Sequence, residues 1–165
     1  MVDIREARTL IGMAVYFGDN RWIGTVEEVK LPDLSWATVE SGAGIKRETP
    51  VPYLETMSAT LKISGPSDGA LASMAIGPGE QTRFLVRNDT VSARHDGIEV
   101  VLGGRVKKYT PPTQKTGEKM ETEFELNLDV YTYAVNGSKR IEIDAKQIIC
   151  VIEGVDLMAD TRANL

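Results

Sequence analysis

Apolar and polar residues alternate along most of this chain, most regularly over "KMETEFELNLDVYTYAV", residues 119–135. Met120, Phe124, Leu126, Leu128 and Val130 take one side of that stretch, and Glu121, Glu123, Glu125, Asn127 and Asp129 the other. A period of two is the signature of a strand with one buried face. "TMSATLKIS" repeats the pattern, with Met57, Ala59, Leu61 and Ile63 on one side. "MAVYFGDNRWIGTVEEV" reads as strand, turn, strand, with the turn at Gly18-Asp19-Asn20. Pro32 breaks that pairing, because proline has no amide to give to a ladder; "SWATVE" then resumes it, which puts Trp22 and Trp36 on separate strands of the first hairpin.

Further strands are predicted at "QTRFLVRN", at "GIEVVLGGRVKKY" and at "SKRIEID" after an Asn136-Gly137 turn. "KQIICVIEG" is apolar on both faces and is predicted to be buried. The convincing helix is "ALASMAI", with Pro66, Ser67 and Asp68 at its start and Gly77-Pro78-Gly79 at its end. The tail "VDLMADTRANL" is weakly helical. Several short strands, one small helix and glycine-rich turns predict a mainly β protein, an antiparallel β-sandwich or partial barrel.

Length adds that residues 1–165 form one domain, large enough to bury a core without staples. A net charge of −5 argues against sequence-specific nucleic-acid binding, which needs a basic footprint. A single cysteine, Cys150, excludes an internal disulfide framework. No apolar run is long enough to span a bilayer, so no membrane insertion is expected. The charged "MVDIREARTL" does not read as a signal peptide, and the chain reads as cytosolic at synthesis.

Little in the sequence carries chemistry. His95, the one histidine, sits in a polar turn without identifiable partners for a metal site or a triad. Cys150 lies in an apolar run, where a thiol acts as a small core hydrophobe. The glycines of "SGAGIK" and "IGPGEQT" lack the lysine and hydroxyl of a phosphate loop. The acidic positions 121–129 lie in a strand and do not form a calcium loop. Nothing gives a positive reason to expect an enzyme, a catalytic residue, a metal or a cofactor.

The acidic ladder raises a different question, since like charges on one face repel. If "GIEVVLGGRVKKY" pairs with 119–135 in an even-sum register, Arg105 and Lys107 come near Glu121 and Glu123, and the face stays net negative. Tyr131, Tyr133 and Val135 continue the same face and are candidates for contact with another chain or for local cover. "WATVESGAGIKRETPVPYLETMSATL" forms a long proline-interrupted arm, which is wasteful unless it docks. Ile45, Val51, Tyr53 and Leu54 are its apolar anchors.

"GTVEEVKLPDL", "GRVKKYTPPTQKTGEKMETEFELNLDVYTYAVNG" and "IEIDAKQIICVIEGVDLMADTRANL", in that order and spacing, resemble the major tail tube proteins of contractile-tailed bacteriophages and of phage-tail-like bacteriocins. The resemblance runs from about Leu10 to the end of the chain. It implies hexameric rings with a continuous inner β-barrel, stacked into a tube inside a contractile sheath that conducts double-stranded DNA during ejection. The implied partners are further copies of the chain, the sheath protein, and baseplate and tape-measure proteins. The implied location is the virion tail, assembled in the bacterial host cytoplasm. Residues 41–55 correspond to the family's inter-ring arm, and 1–10 and 154–165 to terminal segments that contact the next ring. Pro50 and Pro52 in the arm depart from relatives. Since a DNA conduit must not hold phosphates, Glu99, Glu121, Glu123, Glu125 and Asp129 are expected to face the lumen, with Glu27 and Glu40 as weaker candidates. Two other readings stay open: a bacteriocin-like or secretion tube that carries no DNA, and a monomeric sandwich binding a small ligand through Trp22 and Trp36.

Overall fold

The computed structural model describes residues 8–17, 20–22, 26–64, 82–92 and 94–165. The helix expected at 70–76, Gly18 and Asp19 of the first turn, and residues 1–7 of the N-terminal segment lie outside the described residues. Twelve strands and one short helix are described: β1 (Thr9–Phe17), β2 (Asn20–Trp22), β3 (Val26–Lys30), β4 (Trp36–Ser41), β5 (Arg47–Leu54), β6 (Met57–Ser64), β7 (Thr82–Val91), β8 (His95–Thr110), β9 (Glu121–Val135), β10 (Ser138–Asp144), β11 (Ile149–Ile152), β12 (Val155–Asp156) and α1 (Ala159–Asn164). All pairings are antiparallel.

The long hairpin of β8 and β9 organises the rest. The strand order runs β12-β11-β10-β9-β8-β7-β1-β2, and β6 joins the first half of β9, with β3 beside it. β9 therefore has β6 on one side over 121–128 and β10 over 130–135, with β8 on its other side over 123–135. Two layers result that share β8 and β9 and close on one core. Leu61, Ile63, Phe124 and Leu126 come from the layer β3-β6-β9-β8, and Val15, Val86, Val100, Leu102, Ile143 and Cys150 from the other. Burying these side chains contributes roughly 1.5–3 kcal/mol each.

Two bulges make the shared strands serve both layers. Gly103 faces Val130, but Gly104 faces Leu128, so Asp129 is an extra residue in β9. Val106 faces Leu126, but Lys108 faces Glu125, so Lys107 is extra in β8. Each extra residue turns the following side chains to the opposite face. Phe124, Leu126 and Leu128 point inward before the first bulge; Tyr131 points inward after it, opposite Leu102 and Ile143. The expected common face of Glu121–Asp129 and Tyr131–Val135 is thus corrected. Tyr131 is 4% exposed and belongs to the core, and Tyr133 packs half-buried against it, opposite Val100 and Ile141. Burial pushes the Tyr131 phenol up to about 12.

The first hairpin is also shorter than the pattern predicts. β2 pairs with β1, but β3 leaves for β6 in the other layer, and Trp36 opens the separate hairpin β4–β5 opposite Leu54. β11 is less covered than its apolar sequence predicts: Cys150 is buried, while Ile149, Val151 and Ile152 are half-buried. The Asn136-Gly137 turn appears as expected, with both residues at positive φ (50° and 80°).

That turn is stapled to the start of β8. Asn136 donates its backbone N–H to Gly97 O and its side-chain N–H to Asp96 Oδ1, and its Oδ1 accepts from Gly97 N. Asp96 is buried to 2% exposure and also meets Arg8 at 3.2 Å and Arg94 at 3.3 Å. The Asn136 hydrogen bond, helped by the two guanidiniums and opposed by burial, holds the Asp96 carboxyl below its ordinary value of 3.8.

A depressed carboxyl contributes stability that is fully present above its unfolded value and is lost as pH falls through its folded value. Asp96→Asn is therefore expected to destabilise the subunit at neutral pH, and the gap to wild type is expected to shrink as pH drops below 3.8. Urea unfolding at a series of pH values checks this; a gap independent of pH would contradict it. Gly104 tests the bend: a Cβ there would lie 1.9 Å from the Asn127 carbonyl oxygen. Gly104→Ala is expected to cost about 1–3 kcal/mol in the same measurement, and an unchanged midpoint would show that the strands can separate freely at the bulge.

Candidate assembly interface

The layer β3-β6-β9-β8 is a four-stranded sheet with two free edges. β3 pairs only with β6 among the described residues. The described residues of β7 accompany β8 from His95 to Gly104, and residues 105–110 have β9 on one side and no described strand on the other. Unpaired amides and carbonyls along an edge are a template for another strand. Successive pairings are antiparallel, so β3 and β8 run in opposite senses.

The outer face of this sheet carries three of the acidic residues singled out in the sequence. Glu121 and Glu123 are exposed and Glu125 is half-buried. Their partners differ from the expected ones. Lys62 of β6 lies 3.9 Å from Glu121 and 4.0 Å from Glu28, and stands opposite Glu123. Lys107 reaches Glu125 at 3.5 Å, and Arg105 faces Asn127. Glu27, the extra residue of an irregularity in β3, pairs with Lys119. The face is therefore not net negative: Glu28, Glu121, Glu123 and Glu125 are answered by Lys30, Lys62, Arg105, Lys107 and Lys108. The missing cations come from β3, β6 and the bulge in β8, whose register is set by tertiary pairing.

The other two acidic candidates lie elsewhere. Glu99 is on the second layer, paired with Arg87 at 3.3 Å. Asp129 sits at the bulge, 3.9 Å from Lys146, while its carbonyl accepts from Ala145 N. Glu40 is in the arm hairpin, directly opposite Glu48 and 3.7 Å from Lys46.

The hairpin β4–β5 pairs with no other described strand and is exposed over most of its length. Pro50 and Pro52 lie inside β5, where a two-stranded ribbon has an outer edge that needs no amide. Ile45 at its tip is 84% exposed and Tyr53 is 71% exposed. Val51 is half-buried, and Leu54 packs on the core at the base. Of the four anchors, Ile45 and Tyr53 are thus open, Val51 is partly covered, and Leu54 holds the arm to the body.

The C-terminal segment is fixed by a clamp that the sequence reading missed. Arg162 donates to the Ile148 carbonyl at 2.8 Å and pairs with Asp156, whose carboxylate also accepts from Met158 N. These contacts lower the Asp156 pKa and raise that of Arg162. Met158 is buried beneath, while Val155, Leu157 and Leu165 remain exposed. An aspartate and an arginine six residues apart in "VDLMADTR" are the only sequence trace of it. Cys150 is buried and its thiol is pushed up by desolvation, and no group of metal-ligating side chains occurs among the described residues.

Residues 7–165 match the family model described as phage tail tube protein FII. The tail tube protein of Escherichia phage P2 is 26% identical over 169 residues, covering 96% of each chain. Among solved structures, the sheath–tube complex of an extracellular contractile injection system, PVC, aligns with a TM-score of 0.53 at 17% identity, covering 74% of this chain and 87% of that one. The tube-terminating cap of the anti-feeding prophage aligns at 0.55 and 15% identity, again over 74% and 87%. These likenesses show a shared fold. With the family model matched over nearly its whole length, the chain belongs to the phage tail tube protein FII family.

Proposed function

We propose that copies of this subunit join edge to edge into hexameric rings with a continuous inner β-barrel, and that the rings stack into a tube. The observation that carries this is the four-stranded sheet whose edges, β3 and residues 105–110 of β8, have no further strand beside them among the described residues. Rotation about an axis along the strands brings the β8 edge of one copy beside the β3 edge of the next, in antiparallel sense. Such a head-to-tail contact closes when the rotation divides a full turn, and closure covers both of these edges. The core-facing side of the sheet points outward in that ring, and the polar side, with Glu121, Glu123 and Glu125, lines the channel.

The arm extends from this ring toward the next, offering Ile45 and Tyr53, with the C-terminal segment 154–165 as a further contact. The tube serves inside a contractile sheath, nucleated by baseplate and tape-measure proteins, and conducts DNA from a phage particle. Membership of the tail tube family and likeness to a P2 tail tube support this reading. Its channel wall resists DNA where Lys62 is paired with Glu121 and Lys107 with Glu125, since free cations would hold phosphates. The near balance of charge favours a second reading, a tube whose cargo is not DNA, because net repulsion of a polyanion is absent.

Electron microscopy of the purified protein at high concentration is expected to show hollow rings or tubes, and a persistent monomer would count against the ring. Ile45→Asp combined with Tyr53→Asp is expected to leave rings but shorten or abolish stacks. Its unfolding should stay within about 0.5 kcal/mol of wild type, as is usual for exposed sites. Reversal of Glu121, Glu123 and Glu125 to lysine is expected to give tubes that retain double-stranded DNA at low salt. A filter-binding assay against wild-type tubes reads this, and equal retention would remove these residues from the channel wall.

A further inference from the structure

The two free edges carry opposite charge. β3 is "VEEVK", with Glu27, Glu28 and Lys30 exposed; Glu27 is paired with Lys119 inside the subunit, and Glu28 has 66% of its side chain open at the far limit of its contact with Lys62. The edge of β8 is "RVKKYT", with Arg105, Lys107 and Lys108 exposed. Lys107 has Glu125 as a partner, whereas Arg105 and Lys108 make no ion pair within the subunit among the described residues. Two cations without anions thus lie along one open edge, and two glutamates along the other, on strands of similar length and opposite sense.

We propose that the seam between neighbouring subunits is an electrostatic zipper, in which Arg105 and Lys108 of one copy meet Glu27 and Glu28 of the next. The inference rests on the edge-to-edge ring and adds what selects its edges. Opposite charges across an antiparallel pair stabilise it and like charges oppose it. Pairing β8 with another β8 edge would set cations against cations, and pairing two β3 edges would set carboxylates against carboxylates. Only the head-to-tail contact matches, so charge blocks a two-fold dimer that would end growth. The zipper also occupies the two cations that would otherwise stand free beside the channel, which removes a site for phosphates.

Charge reversal tests this with the full chain. Arg105→Glu with Lys108→Glu gives a copy whose two edges are both acidic; Glu27→Lys with Glu28→Lys gives one whose edges are both basic. Each alone is expected to need about tenfold more protein than wild type to assemble, read by sedimentation and microscopy. An equimolar mixture is expected to recover wild-type assembly, since the two copies can alternate around a ring of even number. Recovery on mixing cannot come from a misfolded variant, and circular dichroism of each separate variant confirms its fold. If either variant assembles like wild type, the basic residues only guard the edge against stray pairing, and the zipper is overturned while the ring stands. Failure of two folded variants to recover on mixing also overturns it. A wild-type chain that forms no ring or tube overturns the ring and the zipper together.

Discussion

A change of face within two strands is the constraint on which the other features rest. β8 and β9 are each long enough to cross the whole domain, but a strand that keeps its period of two can line only one layer in one sense. The extra Asp129 in β9 and the extra Lys107 in β8 break that period. Gly104 allows the backbones to approach where a side chain would collide with the Asn127 carbonyl. Before the bulge, β9 gives Phe124, Leu126 and Leu128 to the core; beyond it, Tyr131 does the same on the opposite parity. One hairpin therefore fastens two layers to one core, without a second set of strands.

The functional surfaces follow from where the neighbours of that hairpin stop. The described part of β7 pairs with β8 as far as Gly104. β3 ends the opposite side because the chain next leaves the body for the arm. Those two terminations produce free edges on the same four-stranded sheet. An edge is unstable in isolation and useful in a symmetric assembly, where it is satisfied by an identical copy. The arm has the same character. A lone two-stranded hairpin has marginal stability in water, and Glu40 directly opposite Glu48 weakens it further. Its exposed apolar tip makes sense as a surface completed by another subunit.

Electrostatics in this chain joins segments and sets their order more than it adds bulk stability. Asp96 ties the turn after β9 to the entry of β8 and to Arg8 at the start of the chain. Arg162 ties the last helix to β12 and to the turn before β11. In both cases a charged group satisfies backbone or side-chain partners from segments distant in sequence, which is where a buried or half-buried ion pair specifies structure. On the outer face of the four-stranded sheet the pairs are exposed and individually weak. Their effect there is to bring the face as a whole near charge balance, which a sum over one strand does not reveal.

The alternation in the sequence was enough to locate β6, β7, β8, β9 and β10 and to assign the inward residues of β6 and of the first half of β9. Periodicity is local, and local sterics dictate it. The Asn136-Gly137 turn was legible for the same reason, since few residue pairs accept positive φ. The sequence also carried the family, through the order of its motifs over nearly the whole chain. It did not carry the inversion at Asp129, because an extra residue is visible only against a partner strand. Tyr131 and Tyr133 therefore looked like a continuation of the acidic face, whereas Tyr131 is core and Tyr133 packs half-buried against it; the ladder of glutamates looked unbalanced and is not. Nor did it separate β3 from β2, since nothing in "RWIGTVEEV" says which strand each half will meet. Which side chains face inward was settled residue by residue along the chain; which strands meet, and so which charges answer one another, was decided only when distant segments closed on a common core.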